Sequence, residues 1–395
     1  MSTRANILII ASSHSVNSLY NRILTPILPL IMADFGLNYA QTGLIASVYA
    51  LSSSLFQLPI SFLGDFTGKT RLILGLSLLF NALPAWFYGY STTYAALLTF
   101  VFLSGLGCSA YHPAAVSMIA AESPRNRGLA MGLFKAGGDF GSILTPVAMG
   151  WLTVYLASWR AAAQYFVLPG IVCALIIWLR FQDAPARRQS MAKEAKSTFS
   201  ELFSDKFMIL MTLLSSCRVM GLRGIMTFLP LLLAEGLGLG TIEVGWAITA
   251  YFLVGTVFAV IWGKYTDPKN ETRIILFMMA TSALSLAFLS QAESVIVFFG
   301  LLALLGACLN PSQSLMLTLT TGVISEKNRT SAVGLMYTAN EAASVTSPFL
   351  GGLIAQAVGL RQSFLFYAVL CLIATSIAWL IHAEQKRRAG SSATA

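Results

Sequence analysis

Long apolar stretches separated by short polar loops run along almost the whole chain. Uncharged stretches cover residues 35–64, 72–121, 244–263 and 294–325, and about 20 apolar residues are enough for a helix to cross a membrane. The pattern therefore predicts an all-α membrane protein. Hydropathy and loop positions together place twelve transmembrane helices at residues 6–33, 41–64, 72–90, 94–121, 128–153, 161–180, 207–234, 242–263, 274–292, 294–322, 330–354 and 362–382.

Composition agrees with this prediction. Of the 395 residues, 56% are hydrophobic and only 10% are charged, against about 25% charged residues in soluble proteins. The five cysteines form no CxxC pair, the three histidines lack metal-ligand spacing, and no nucleophile or Walker motif is present. We therefore expect a protein that is not an enzyme, with no catalytic residues, no metal, no cofactor and no ATP-driven step.

Most basic residues indicate how the chain is oriented. Of the 25 Lys and Arg residues, 19 fall on one side of the predicted helices and only Arg160 and Arg361 on the other. The positive-inside rule then places both termini and the loop 181–206 in the cytoplasm, with the protein in the cytoplasmic (inner) membrane. The net charge of +9 reflects this topology, so no nucleic-acid partner is expected. The 19 residues are Arg4, Lys69, Arg71, Arg125, Arg127, Arg180, Arg187, Arg188, Lys193, Lys196, Lys206, Lys264, Lys269, Arg273, Lys327, Arg329, Lys386, Arg387 and Arg388.

The second half of the chain repeats the first with a shift of about 201 or 202 residues. Rare polar and special residues coincide at matching depths, which indicates duplication of a six-helix unit. We predict two pseudo-symmetric six-helix bundles, 1–180 and 207–383, joined by a cytoplasmic linker, 181–206, and followed by a tail, 384–395. The matching pairs include Arg22 and Arg223, Pro29 and Pro230, Asp65 and Asp267, Arg71 and Arg273, Arg127 and Arg329, Asp139 and Glu341, and Pro146 and Pro348.

Two short motifs point to a family. The loop after the second predicted helix holds Asp65, Gly68, Lys69 and Arg71, and the fifth predicted helix carries Gly141-Ser-Ile-Leu-Thr-Pro-Val-Ala-Met-Gly150. With its two six-helix halves, the chain resembles the major facilitator superfamily of secondary transporters. The resemblance implies alternating access around a site near the membrane midplane. Segments 14–17 and 110–113 are similar to fosmidomycin-resistance-type exporters.

Six ionisable residues lie inside the predicted helices, although each costs about 2.5 to 3.5 kcal/mol at the bilayer centre. Four are basic and two are acidic, so the interior carries two excess positive charges. An anionic ligand or a water-filled cavity would balance them, and we therefore expect an anionic substrate. The six residues are Arg22, Lys135, Asp139, Arg218, Arg223 and Glu341.

Arg22 and Arg223 are candidate substrate ligands, because the repeat places them at the same depth on the first and seventh helices. In the resembled family these two helices line the central cavity. Two guanidinium groups facing each other across the pseudo-axis would bind a carboxylate, phosphonate or phosphate bidentately. In the alternative interpretation, each arginine pairs with an acid such as Asp34 or Glu235, or extends to the membrane surface.

Lys135 and Asp139 are four residues apart, so they share a helix face and can pair. A buried carboxylate whose cation moves away can load and release a proton, which makes Asp139 and its counterpart Glu341 candidates for proton coupling. A static ion-pair network is the alternative.

A polar stripe of His14, Asn17 and Asn21 follows one face of the first helix. We assign these residues to substrate binding, together with Arg218 at the repeat position of Asn17. His112 and Asn310, each followed by proline, complete the substrate-binding prediction. For the histidines, a hydrogen-bonding role in packing is the alternative.

Cytoplasmic loop residues form a predicted gate in both halves. Their carboxylates would accept hydrogen bonds from a helix end or an arginine, and opening would break those bonds; a simple turn is the alternative. The predicted gating residues are Asp65, Lys69, Arg71, Arg127, Asp267, Arg273 and Arg329.

These features together predict a secondary active transporter, acting as a monomer in the lipid bilayer on a small-molecule substrate. Protons are the expected coupling ion, with antiport and efflux favoured. Proton-coupled symport of an organic anion into the cell is the alternative, and a membrane channel or receptor is the alternative from another class.

Overall fold

Every regular element of the described residues is helical. The computed structural model describes the backbone of residues 3–123, 126–183, 205–324 and 329–392. Side chains are described for the same residues except 3, 58, 62, 65, 127, 329–331 and 387–392. Nearly all of the predicted linker 181–206 lies outside the described residues.

The described residues of the first half form nine α-helices. A 3-10 turn, Thr25–Ile27, follows the first helix and contains Pro26. Proline at this position lacks the N–H that a continuous helix would need, so the first predicted span is interrupted here. The helices are α1 (Thr3–Arg22), α2 (Leu28–Phe35), α3 (Tyr39–Leu55), α4 (Gln57–Thr67), α5 (Thr70–Tyr88), α6 (Tyr94–Glu122), α7 (Arg127–Tyr155), α8 (Trp159–Tyr165) and α9 (Val167–Arg180).

In the second half, the residues that the structure describes form seven α-helices. A π-helical turn, Leu232–Gly236, follows the first of them. The helices are α10 (Lys206–Leu231), α11 (Thr241–Tyr265), α12 (Glu271–Leu289), α13 (Val295–Leu309), α14 (Ser312–Val323), α15 (Arg329–Val358) and α16 (Leu360–Ser392). The last helix thus continues through most of the predicted tail.

All twelve predicted spans correspond to helical stretches, which confirms the all-α membrane fold. Among the described residues, nine stretches are long and apolar enough to cross a membrane. The stretches that miss this criterion are α1 with α2, α7 and α15, because they carry polar residues such as His14, Lys135, Asp139 and Glu341. The candidate proton-coupling residues therefore lie on helices of lower hydropathy, whereas His112, Arg218 and Arg223 lie on helices that meet the criterion.

The helices pack as two compact units. Unit 1 contains Met1–Gln189 and Pro230–Thr249, and unit 2 contains Ser190–Leu229 and Ala250–Ala395. By packing, residues 230–249 therefore belong with unit 1. The six-helix units predicted from the sequence repeat, 1–180 and 207–383, are a different division of the chain and stay a prediction.

Helix α1 packs closely on α7 in unit 1. A Cβ atom on Gly137 or Gly141 would collide with the backbone carbonyl of Ala11 or Ser15, so these two glycines permit the approach. The hydroxyl of Ser15 donates a hydrogen bond to the carbonyl of Gly137 at 2.7 Å. Glycine in the candidate family motif at 141–150 thus serves helix packing.

In unit 2, Tyr367 of α16 is fully buried between two glycines of neighbouring helices. A Cβ atom on Gly224 of α10 or Gly351 of α15 would overlap its ring. The Tyr367 hydroxyl lies 3.4 Å from the carbonyl of Ser347, whose own hydroxyl donates to the carbonyl of Met220 at 2.5 Å. These contacts fix the three helices that surround the candidate residues of unit 2.

Candidate functional site

The imidazole of His14 lies between α6 and α7 in unit 1. Its Nδ1 is 2.8 Å from the carbonyl oxygen of Phe134, and its ring stacks on the Phe134 ring with centroids 4.0 Å apart. The ring of His112 meets it edge-on at 5.2 Å. The structure therefore brings the two predicted histidines into direct contact.

Tyr111 packs against both histidine rings. It is fully buried, its ring centroid lies 5.8 Å from that of His14, and its hydroxyl shares a 2.7 Å hydrogen bond with the hydroxyl of Ser13. Because the hydroxyl has a partner and the ring is enclosed, Tyr111 fixes the position of the histidine rings.

Lys135 and Asp139 form the ion pair predicted from their spacing. Lys135 Nζ lies 2.5 Å from Asp139 Oδ1 on α7. The two side chains are 64% and 29% exposed within the protein. The pair therefore lies on an open face of α7, next to Phe134 and Gly138, which contact His14 from the same helix.

The polar stripe on α1 extends into the interior of unit 1. Asn17 is 1% exposed, and its Oδ1 accepts a hydrogen bond from Asn81 of α5 at 3.2 Å. Asn21 contacts the carbonyl of Asn17 at 3.3 Å and the sulfur of Cys108 at 3.4 Å. In this conformation Asn17 is thus enclosed by protein.

Arg22 and Arg223 are both half-buried near the positions predicted from the repeat. The acids proposed as their alternative partners have other contacts within unit 1. Asp34 pairs with Arg160 at 2.8 Å, and Glu235 accepts a hydrogen bond from the Tyr39 hydroxyl at 2.6 Å.

Arg218 is bound to the break between α13 and α14. It is 2% exposed, and its guanidinium donates to the carbonyls of Leu309 and Asn310 at 3.0 and 3.1 Å. Further bonds reach the hydroxyl of Ser312 at 2.7 Å and Oε1 of Gln313 at 2.5 Å. The carbonyls at a helix C-terminus carry partial negative charge, so they compensate the cation.

This contact of Arg218 was missed by sequence reasoning. Pro311 was the available signal, because a proline inside a helix leaves upstream carbonyls without their usual donors. Asn310 contributes its backbone carbonyl to Arg218, and its side chain packs against Gly255 of α11. By contrast, the equivalent helix α6 runs without interruption through Pro113.

Two neighbouring residues of α15 have different surroundings. Asn340 is buried, donates to the hydroxyl of Ser215 at 2.8 Å and accepts from that of Ser216 at 3.4 Å. Glu341 is half-buried, and its carboxylate lies 3.4 Å from the hydroxyl of Ser344. Glu341 thus has a weak neutral partner where its counterpart Asp139 has a lysine.

The predicted gating residues are only partly described. The side chains of Asp65, Arg127 and Arg329 lie outside the described residues, while Lys69 and Arg273 are exposed. Arg71 contacts Asp183 at 3.8 Å and the carbonyls of Trp178 and Phe181 at 3.4 and 3.3 Å. It therefore fastens the end of α9 to the start of α5.

Asp267 occupies the turn before α12. Its Oδ1 accepts hydrogen bonds from the backbone N–H groups of Lys269 and Asn270 at 2.8 and 3.0 Å. In return, the Asn270 Oδ1 accepts a hydrogen bond from the Asp267 N–H at 2.8 Å. These bonds match the alternative of a simple turn, since an aspartate in this position orders its own loop.

Arg160 and Arg361 have equivalent contacts in the two units. Arg160 donates to the carbonyl of Ser91, and Arg361 donates to that of Ala292 at 3.0 Å. The shift of 201 residues that relates the arginines also relates the two acceptors. The internal repeat is therefore visible in hydrogen bonding as well as in sequence.

The part of the chain that the structure describes contains no group of three His, Cys, Asp or Glu side chains that could hold a metal ion. The five cysteines are free thiols, and Cys217 is the one that is not fully buried.

Comparison with known proteins agrees with this description. The profile of the Major Facilitator Superfamily matches residues 10–240 and again 211–395. The fosmidomycin resistance protein of Escherichia coli (strain K12) is 27% identical over 170 residues, which are 42% of this chain and 41% of that protein. A gallate transporter of Pseudomonas putida is 26% identical over 93% of this chain and 89% of its own.

The fold is also that of a solved structure. A bacterial homologue of the human lysosomal transporter Spinster superposes with a TM-score of 0.81 at 18% identity, over 96% of this chain and 97% of the other. Members of the matched family are transporters and not enzymes. The chain is therefore a multi-pass integral membrane protein that belongs to the Major Facilitator Superfamily.

Proposed function

We propose that this transporter exports a small organic anion in exchange for protons. It lies in the cytoplasmic membrane with both termini in the cytoplasm and works as a monomer by alternating access. The distribution of basic residues supports this orientation, because positive charge collects in cytoplasmic loops.

The surroundings of Arg223 are the observation that supports an anionic substrate. Its guanidinium is half-buried in a spanning helix, and the described side chains provide it with no hydrogen bond or ion pair. Two other basic residues of the helices have partners: Lys135 pairs with Asp139, and the guanidinium of Arg218 donates hydrogen bonds to helix carbonyls. Because an ionised residue inside a membrane is costly, Arg223 is retained for a ligand that brings negative charge.

Arg22 is the counterpart of Arg223 in the first half and the second candidate ligand for an anion. It has the repeat position of Arg223 and the same half-buried state. A planar guanidinium binds the two oxygens of a carboxylate or a phosphonate in parallel. The names of two relatives agree with such a substrate, since gallate carries a carboxylate and fosmidomycin a phosphonate.

Export and proton coupling rest on different support. The fosmidomycin resistance protein and a multidrug resistance protein of Rahnella, 24% identical over 89% of this chain, favour efflux. The Lys135–Asp139 pair supplies a carboxylate whose cation can move, and Glu341 supplies its counterpart. A carboxylate binds a proton when its neighbouring cation moves away during the cycle, and it releases the proton when the cation returns.

Flux into proteoliposomes tests the proposal. Purified protein is reconstituted, and uptake of radiolabelled gallate is measured with the lumen more acidic or more alkaline than the bath. Antiport predicts accumulation when the lumen is acidic, whereas symport predicts accumulation when it is alkaline. Equal, non-concentrative flux in both conditions would indicate a channel.

The arginine variants complete this experiment. Arg22→Lys and Arg223→Lys keep the positive charge but lose the planar guanidinium that binds two oxygens in parallel. Both substitutions are therefore expected to weaken gallate binding. Arg361→Lys is the matched control, because Arg361 binds loop carbonyls near a helix start. Unchanged apparent affinity in both Arg22→Lys and Arg223→Lys would refute a role for these arginines in binding the substrate.

A further inference from the structure

We propose that His14 and His112 form one proton site in unit 1 and hold a single exchangeable proton between them. The inference rests on the proposed proton coupling and deepens it, because it assigns the exchangeable proton to an imidazole pair beside Asp139. Three contacts on α6 and α7 define the site.

The tautomer of His14 follows from its hydrogen bond. A carbonyl oxygen only accepts hydrogen bonds, so the 2.8 Å contact between Nδ1 and the Phe134 oxygen requires a proton on Nδ1. In the neutral ring, Nε2 then carries the lone pair. Proton binding and release at His14 therefore occur at Nε2.

The geometry of the two rings limits the pair to one proton. Their centroids are 5.2 Å apart and their planes meet at 89°. Phe134 stacks on one face of His14 and Tyr111 lies close to both rings, so apolar surface surrounds much of the pair. Two positive charges at this distance in a medium of low polarity repel strongly, which opposes double protonation.

The groups that face the pair connect it to the ion pair on α7. Tyr111 lies on α6 with its hydroxyl bound to Ser13, and Lys135 and Asp139 of α7 act electrostatically on His14. A proton on His14 places a second cation near Asp139 and weakens its hold on Lys135. Loading the imidazole pair therefore loosens the exposed ion pair, and releasing the proton restores it.

Imidazole NMR tests the proposal directly, since the chain has only three histidines. Protein with 15N-labelled histidine and His382→Gln, reconstituted in bilayers, leaves only the signals of His14 and His112. We expect the Nδ1-protonated tautomer for His14 and uptake of one proton by the two imidazoles as the pH is lowered. Uptake of two protons or of none, or an Nε2-protonated His14, would overturn the proposal.

A reciprocal pair of variants checks that the rings share the proton. In His112→Gln the repulsion is gone, so the protonated fraction of His14 at a given pH is expected to rise; His14→Gln gives the same test on His112. Either variant suffices if the other does not fold. If removing one ring leaves the titration of the other histidine unchanged, the two rings do not share a site.

Transport separates this inference from the proposed function. Gallate counterflow without a pH gradient reports substrate exchange, and gradient-driven flux reports coupling. We expect gradient-driven accumulation to fall much further than counterflow in His14→Gln, and we expect both to stay at the wild-type level in His382→Gln. Full coupling in His14→Gln would refute the histidine site and leave the proposed antiport intact, while a wild-type protein that ignores the gradient would refute proton coupling itself.

Discussion

Gly138 of α7 lies directly against the imidazole of His14. A Cβ atom at this position would come within 2.5 Å of the ring atom Cε1, a distance that forces the ring to move. Gly138 therefore sets the distance at which His14 reaches the carbonyl of Phe134. This dependence gives a test of the histidine site that leaves both histidines in place.

Gly138→Ala is expected to displace His14 and to destabilise the protein by about 1 to 3 kcal/mol, as an extra methyl in a packed site usually does. The His14 tautomer signal would lose its Nδ1–H preference. Gly132→Ala on the same helix is the control, because a Cβ atom there meets nothing within 4 Å. Identical NMR spectra for the two variants would contradict the close contact.

Arg218 and Arg223 are expected to respond differently to lysine. Arg218→Lys removes part of a buried network in which each bond to a charged group contributes about 1.5 to 3 kcal/mol, so its thermal unfolding temperature should fall markedly. Arg223→Lys disturbs no such network and should unfold near the wild-type temperature. Unfolding of both variants in detergent measures the difference, and equal losses would show that Arg223 is also structural.

How far the sequence predicts this molecule depends on the range of the contacts. Lys135 and Asp139 were paired correctly because both lie on one helix, four residues apart. Arg218 and its acceptor Leu309 are 91 residues apart, and their contact requires a helix break whose position depends on packing. The phase of α1 likewise could not distinguish the interior of unit 1 from a cavity for Asn17. Hydropathy and loop positions together were sufficient for the twelve spans, because the bilayer fixes their length.

Arg160 and Arg361 provide a comparison between the two repeats. Both donate to loop carbonyls, but only Arg160 also pairs with Asp34 and lies over the rings of Phe35 and Trp159. Arg160→Gln should therefore lower the unfolding temperature more than Arg361→Gln. The difference should be modest, about 1 kcal/mol, because the Arg160–Asp34 pair is partly exposed and exposed pairs contribute little. A larger loss in Arg361→Gln would contradict this assignment.

The Lys135–Asp139 pair should matter to transport far more than to stability. An exposed pair four residues apart on a helix contributes about 0.2 to 0.5 kcal/mol, and Lys135 is 64% exposed. Asp139→Asn and Lys135→Gln should therefore unfold at nearly the wild-type temperature. In gradient-driven gallate flux, however, Asp139→Asn is expected to lose accumulation, because a neutral amide can neither hold Lys135 nor respond to the charge of His14. The double variant should resemble Asp139→Asn if the residues act as one unit. Lys135→Gln is measured beside Asp139→Asn for comparison. If Asp139→Asn accumulates gallate as the wild type does, the pair is a surface contact without a role in coupling.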